Sequence, residues 1–457
     1  MRMNLGDIHM KSENHRQWSA TARTAIALGA WLLAAVAGTG VQAQEFKGYT
    51  LKVKLIGGTQ YEPLYAIIPE WEKKTGARVE ILSRKNHFEL DKEIKQDIAA
   101  RKIDYCVASN HTSFSPQYGD IYRDLQKALP ATWVSQFGKL VLEHSTVAGS
   151  LVLLPRHSDV SELYYNKKFY DNTENKAAYK TRFGKELLVP DTWTEFARQA
   201  KFFSKPPSVY GTQFPGKDEA ITGRFYEMLV AEGGALFDKD WRPTFNSAVG
   251  ERALNFFVDL YKSGAVPKGV PNYIWDDLGQ GFASGNIALN LDWGGWAGFF
   301  NDPKNSRIAG NVGIARAPRG SSGKRTGWAG SHGFSITKAC DNPKAAASLV
   351  MALTSLEAQM IEARNGMMPT RMDAQKQAAG EFAKKGDKYM LEVFQTFAKG
   401  MAEDAFTPPL IPEWIEASNA IWPELQKALI GEKTGKQALD DAANKVLAIM
   451  QDAGRVR

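Results

Sequence analysis

The stretch NLDWGGWAGF, residues 290–299, sets Asp292, Trp293 and Trp296 around a Gly-Gly pair. An indole in a core normally continues a hydrophobic run, whereas the residues between these two tryptophans contribute no packing side chain. A carboxylate accepts hydrogen bonds from hydroxyl groups. An indole covers the apolar face of a pyranose ring, a contact that adds on the order of 1 kcal/mol beyond area burial. The combination suits a ring-bearing, hydroxylated ligand, with the glycines letting backbone approach it. Glycoside hydrolysis would need a second carboxylate across the sugar, and no second acid is placed beside Asp292. Other catalytic signatures are missing: the chain has no H-E-x-x-H, no G-x-S-x-G and no Cys pair at metal spacing. RGSSGKRT (319–326) resembles a phosphate loop, but Pro318 stands at its first glycine and Arg325 at its Ser/Thr. It reads as a solvated basic loop.

The elements around the motif predict where it lies. LKVKLIG (51–57) alternates as a strand, EPLYAIIPEWEKKTG (62–76) spaces Leu64, Ile68 and Trp71 on one helical face, and ARVEILS (77–83) follows. A helix over 88–101 and the strand IDYCVAS (103–109) complete β-α-β-α-β, the signature of a mostly parallel sheet covered by helices, with ligands at the carboxyl ends of the strands. The loops at those ends are GGTQY (57–61), SRKNH (83–87) and SNHTSF (109–114). Beyond Pro155 the pattern restarts with SELYYNKKFY (161–170), then PDTWTEFARQAKFF (190–203) with a Thr192/Glu195 capping box, and NSAVGERALNFFVDLYKSG (246–264). The opening motif follows the strand NIALNL directly, on the ligand side of its sheet. GFSIT (333–337) is a further strand, a helix starts at Asn342-Pro343, and the last hundred residues are largely helical.

A chain of 457 residues exceeds what one hydrophobic core usually serves, so two domains are expected. Ala25 to Gly38 is an apolar run preceded by Lys11, Arg16 and Arg23 and followed by VQA, ending at Ala43. This is the pattern of a cleaved secretory signal, too short to span a membrane. The mature protein would begin at Gln44, with no Cys at the cleavage point to carry a lipid, and Met10 is the more usual start. Losing four basic and two acidic residues from 1–43 takes the counts from 57 and 50 to 53 and 48, a net +5. That excess is scattered, without a basic block interleaved with aromatics, so no nucleic-acid partner is expected. Cys106 and Cys340 leave both a disulfide and two buried thiols open.

LYYNKKFY, PDTWTEF, VAEGGALFD, FASGNIALNLDWGGW, NPKAAASLVMALTS, the GMMPTR turn and ALIGEKTGKQALDDAANKVLAIM together resemble the family 1 extracellular solute-binding proteins of ABC importers, over essentially all of the mature chain. The resemblance implies an α/β fold of two hinged lobes, each a mostly parallel sheet flanked by helices, with ligand in the cleft between them. It implies lobe one over 44–157 plus 329–389 and lobe two over 158–328 plus 390–457. Carried over residue by residue, it implies a ligand site of Thr59, Gln60, Tyr61, Asn110 and His111 from lobe one, with Trp275, Asp292, Trp293 and Trp296 from lobe two. Trp328, Ser331 and His332 would join at the lobe crossing, and Trp414 as a further stacking aromatic. The maltose-binding member carries acids where this chain has Thr59, Gln60, Asn110 and His111, which argues against a maltodextrin. Arg371 reads as a structural ion pair. The expected function is periplasmic capture of a small carbohydrate or polyol, as a monomer without cofactor or catalysis, for delivery to an ABC permease. The alternatives are an anionic solute countered by Arg84, Lys85 or Arg224, ferric ion held at Tyr164-Tyr165, or a secreted carbohydrate-active enzyme.

Overall fold

The computed structural model describes residues 44–456; the expected signal segment, 1–43, lies outside the described residues. Among the described residues no helix is long and apolar enough to cross a membrane.

One mixed sheet runs in the order Met368–Pro369, Leu154–Val160, Gly327–Ile336, Val107–His111, Thr50–Ile56, Arg78–Lys85, with Ala405–Phe406 pairing the start of Gly327–Ile336. The strands Arg78–Lys85, Thr50–Ile56 and Val107–His111 are parallel, as the alternating pattern predicts. Gly327–Ile336 runs antiparallel to both Val107–His111 and Leu154–Val160, because the chain enters this sheet from the opposite end on its return. The second sheet, Leu289–Asp292, Glu162–Asn166 and Val312–Ala315, is antiparallel throughout. The mostly parallel sheet expected in each lobe is therefore not what the second sheet forms. Among the described residues parallel strand pairs fall in the first sheet, with Thr192 to Arg319 and Tyr210 to Ile287 only isolated parallel bridges.

Leu51, Val53, Leu55, Val107, Phe334 and Ile336 pack with the helices Ile67–Thr75 and Pro343–Leu353 in one core. Gly76 ends the first of these helices at φ 75, and Asn342 caps the second by accepting from Ala345 N at 3.1 Å. A larger core joins Leu289 and Leu291 to the helices Asp218–Ala231, Ala248–Lys262, Trp414–Leu429 and Gly435–Asp452. Thr192 Oγ1 accepts from Glu195 N at 3.2 Å, but the Glu195 carboxylate lies 3.8 Å from Lys185 Nζ. The predicted capping box is therefore half made. Cys106 and Cys340 form a disulfide spanning 234 positions, which settles the alternatives the sequence left open.

Candidate functional site

The carboxyl ends of the first sheet's parallel strands open onto a cavity whose empty space, open solvent included, is about 730 Å3. The strand register builds its first wall. His332 lies opposite His111 on one neighbouring strand and His157 on the other, and a register shift follows immediately, between His332 and Gly333. Three imidazoles therefore stand abreast, with His111 and His332 ring centroids 4.6 Å apart and His157 and His332 5.4 Å apart. His87, the first residue of the helix His87–Ala99, adds a fourth at 5.6 Å from His332. Gly330 makes room for this row: a Cβ there would stand 2.5 Å from His111 Nε2. Tyr61 covers the group, its hydroxyl 3.1 Å from His332 Nε2 and its ring 6.0 Å from that of His157 at an interplanar angle of 11°.

Behind His157 is a buried ion network. Arg156, with no exposed surface, donates through Nε to Glu362 Oε1 at 2.8 Å and stacks against Tyr61, Tyr65 and Phe334. His157 Nδ1 lies 3.1 Å from the same Glu362 oxygen and its Nε2 lies 3.1 Å from Asp159 Oδ2. Burial opposes charge on His157, but the carboxylates of Asp159 and Glu362 outweigh it and raise its pKa to about 9. Glu362 is pushed up by burial and pulled down further by Arg156 and His157, to about 2. The other imidazoles stay neutral: burial, reinforced by neighbouring histidines, lowers His87 to about 3 and holds His332 well below the usual range. Burial likewise takes His111 to about 4 against the pull of Asp159.

The facing wall is indole and carboxylate. Trp275 opens the helix Trp275–Ala283, and Trp293 follows the strand Leu289–Asp292. Their rings meet edge to face, centroids 5.2 Å apart at 78°. Arg224 supports both from behind, 4.9 Å from the Trp275 ring and 5.7 Å from that of Trp293. Trp296 and Trp328 also line the cavity. Trp296 is buried, stacked on Phe300 at 5.9 Å, and its Nε1 has no hydrogen-bond partner among the described residues. Gln60 Nε2 reaches Asp276 Oδ1 across the cavity at 3.5 Å. Asp159, Glu219 and Asp276 are the lining carboxylates, and no Lys or Arg lines the cavity among the described residues. Burial raises Glu219 to about 7 even though Trp414 Nε1 donates to it at 2.7 Å.

Of the residues expected from sequence, Gln60, Tyr61, His111, Trp275, Trp293, Trp296, Trp328 and His332 line this cavity, and five do not. Thr59 is exposed at the loop tip. Asn110 turns inward to Ser335 Oγ at 3.2 Å, and Ser331 is buried with its N–H on Thr112 Oγ1 at 3.1 Å. Trp414 sits behind Glu219 as its donor. Asp292 is wholly buried beneath the loop, accepting from Asn290 Nδ2 and Trp293 N, each at 2.9 Å. The strand's alternation points it away from the cavity, so it braces the Trp293 turn instead of meeting ligand. The glycines are also used differently. A Cβ on Gly294 would stand 2.8 Å from Gly366 O, so this glycine serves a close approach between two backbones. Gly366 itself has φ +96.

His87 lines the cavity from the loop 83–87 expected on the ligand side, though it was not singled out, and His157, Asp159, Glu219 and Asp276 line it without having been expected there from sequence. His157 and Asp159 carried a usable signal, an i, i+2 pair on a strand that places both side chains on one face. Glu219 carried none.

Arg84 pairs with Glu62, Lys85 with Glu93 at 2.7 Å, and Arg224 with Glu227 and the Leu291 carbonyl, so none is an available counter-charge in the cavity. Arg371 forms the expected structural pair, with Asp373. Tyr164 is buried with its hydroxyl on Trp293 O at 3.2 Å, and Tyr165 packs on Tyr170. Neither lines the cavity.

The buried Asp292 makes a pH prediction. Burial raises its pKa from 3.8 to about 7, so the folded state binds its proton more tightly than the unfolded chain does. Its stabilisation is complete below about pH 4 and is lost as pH rises toward 7, by about 1.4 kcal/mol for each step of one in pH. Asp292→Asn is expected to flatten the stability profile between pH 4 and 7 by on the order of 2–4 kcal/mol, measured by denaturant unfolding at several pH values. An unchanged slope would place the titration elsewhere.

A family model described as bacterial extracellular solute-binding protein matches residues 57–360. The chain belongs to that family. Two relatives of this solute-binding protein are a probable amino-acid ABC transporter periplasmic-binding protein of Sinorhizobium fredii and a mannitol-binding protein of Pseudomonas aeruginosa. The first is 24% identical over 424 residues, 90% of this chain and 92% of the relative. The second is 26% identical over 327 residues, 68% of this chain and 71% of the relative. Among solved structures, maltose-bound T. maritima MalE3 superposes with a TM-score of 0.76 at 25% identity, covering 87% of this chain and 99% of its own. The fold is thus the two-lobed α/β architecture of the solute-binding proteins.

Proposed function

We propose that this protein captures a small neutral carbohydrate or polyol in the cleft and delivers it to the permease of an ABC importer, as a monomer outside the cytoplasm and without chemical turnover. The carrying observation is the lining: the indole corner of Trp275 and Trp293 faces the neutral imidazoles of His87, His111 and His332 and the Tyr61 hydroxyl, beside a His157 whose charge is held by Asp159 and Glu362, and no Lys or Arg lines the cavity among the described residues. Indoles cover C–H faces, neutral imidazoles both donate and accept, and carboxylates accept from hydroxyls. The mannitol-binding relative and the maltose-bound neighbour support this class. The relative named for amino acids supports the transport role, but an amino acid's carboxylate would need a free cation. The His157 charge is already held between Asp159 and Glu362. Asp292, the acid that first suggested a glycosidase, is buried behind the loop. Lobe one over 44–157 plus 329–389 and lobe two over 158–328 plus 390–457 would close over the solute, whose differential affinity drives closure.

Micromolar affinity, about −8 kcal/mol, needs only a few hydrogen bonds and one or two stacking contacts beyond the cost of association. Thermal shift followed by calorimetry against mannitol, ribitol, maltose, monosaccharides, sugar acids and amino acids tests the proposal. A neutral sugar or polyol is expected to raise the melting temperature by several degrees. Trp275→Ala and Trp293→Ala are each expected to weaken binding roughly 10- to 100-fold, for a loss of about 1–3 kcal/mol. A response to anions or amino acids alone, or product released from an oligosaccharide, would overturn it.

A further inference from the structure

We propose that His157, Asp159 and His332 form a binding site for a divalent transition-metal ion of the zinc class, set in the same cleft. The ligating atoms of these three residues lie within 4.8 Å of one another, and all three side chains are buried and line the cavity. Donors about 2.1 Å from a tetrahedral ion sit roughly 3.4 Å apart, and His157 Nε2 is already 3.1 Å from Asp159 Oδ2. That nitrogen, on a residue only 1% exposed, has no hydrogen-bond partner among the described residues, because the carboxylate lies off the ring's N–H direction. A buried nitrogen without a hydrogen-bond partner is costly, and a metal ion that displaces its proton and takes the lone pair removes that cost.

The surroundings complete the pattern of a metal site. His157 Nδ1 faces Glu362 Oε1 at 3.1 Å, and Arg156 anchors that carboxylate at 2.8 Å. A carboxylate on the remote imidazole nitrogen fixes the ring's orientation and leaves the other nitrogen to coordinate, the usual support of a metal-bound histidine. His332 is steadied by the Tyr61 hydroxyl at 3.1 Å and by its own strand pairs. His111 is excluded by its hydrogen bonds: Ser113 N donates to its Nδ1 at 3.2 Å, so the neutral ring carries its proton on Nε2. Two imidazoles and one carboxylate suit first-row divalent ions, and three protein ligands leave a position open to water or to a hydroxyl of a solute in the cleft. The site goes beyond the proposed solute, and its test needs none.

The experiment is titration of chelator-stripped protein with zinc chloride by calorimetry in the absence of solute, with cobalt absorption as a spectroscopic readout. One equivalent is expected to bind with micromolar or tighter affinity, and bound cobalt to show the bands of a four-coordinate nitrogen and oxygen site. His157→Ala and His332→Ala are each expected to lose at least 30-fold in affinity, while the remote His144→Ala changes it less than threefold. Circular dichroism confirms folding of each variant, and Asp159→Asn replaces any that fails. Absence of saturable zinc binding, survival of binding in either ligand variant, or equal loss in His144→Ala would overturn the site. Solute titrations run separately, so failure here leaves the carbohydrate reading intact.

Discussion

Replacing Arg156 with Met is expected to destabilise the protein by about 3–5 kcal/mol, the usual consequence of removing one partner from a buried ion pair. The guanidinium has no exposed surface and is bound to Glu362, the Tyr65 hydroxyl and the Tyr61 carbonyl. Its loss leaves Glu362 buried with only His157 as counter-charge. For the roughly 410 described residues the unfolding entropy is large, so this free energy corresponds to a fall of about 4–6 °C in melting temperature by calorimetry. The Arg156→Met, Glu362→Met double variant should lose less than the sum of the two single changes, because no unpaired carboxylate remains. Solute binding should weaken as well, since Arg156 holds the backbone of Tyr61 at the cleft. A loss below about 1 kcal/mol in the single variant would show that water reaches the pair.

The second large effect is expected from the disulfide. Cys106 precedes the strand Val107–His111 and Cys340 follows the strand Gly327–Ile336; Thr337 N donates to Cys106 O at 2.9 Å where the two strands lie side by side. The bridge closes a loop of 234 positions, and chain entropy alone assigns such a crosslink about 5 kcal/mol, the top of the observed range. Both half-cystines are buried, at 4% and 5% exposure. The native protein should therefore resist mild reductant and lose the bridge only on opening. Cys106→Ser with Cys340→Ser is expected to lower the melting temperature by about 3–6 °C without changing solute affinity, because the bridge lies at the far end of the strands from the cleft. An unchanged melting temperature would mean that the unfolded chain is already compact enough to make the crosslink redundant.

Whatever depends on local chemistry was legible along the chain. Period-two alternation placed the strand Thr50–Ile56, the β-α-β order placed Arg78–Lys85, and helical spacing with a terminating glycine placed Ile67–Thr75 and its Gly76 stop. The order of many weak motifs pointed to the family, now carried by the match over residues 57–360. Aromatic character pointed to Trp275 and Trp293, which line the cavity, and equally to Trp414, which is a core residue behind it.

Which side of each element meets the cleft, and which distant residues meet one another, emerged only on folding. Asp292 and Trp293 are neighbours in the motif, yet a strand alternates its faces, so one braces the turn from below while the other stacks above it. The row His111, His332, His157 spans more than two hundred positions and exists because antiparallel register sets His332 opposite both of the others. The antiparallel return of Gly327–Ile336 could not be read locally, because strand direction depends on where the chain re-enters the sheet and not on the residues within it. The same holds for Glu219, whose part in the cleft follows from the packing of the helix Asp218–Ala231 against Trp414, a partner 195 positions away. Side-chain type and spacing are local properties, whereas register, facing and burial are set by long-range pairing, and the cleft is made from the second kind.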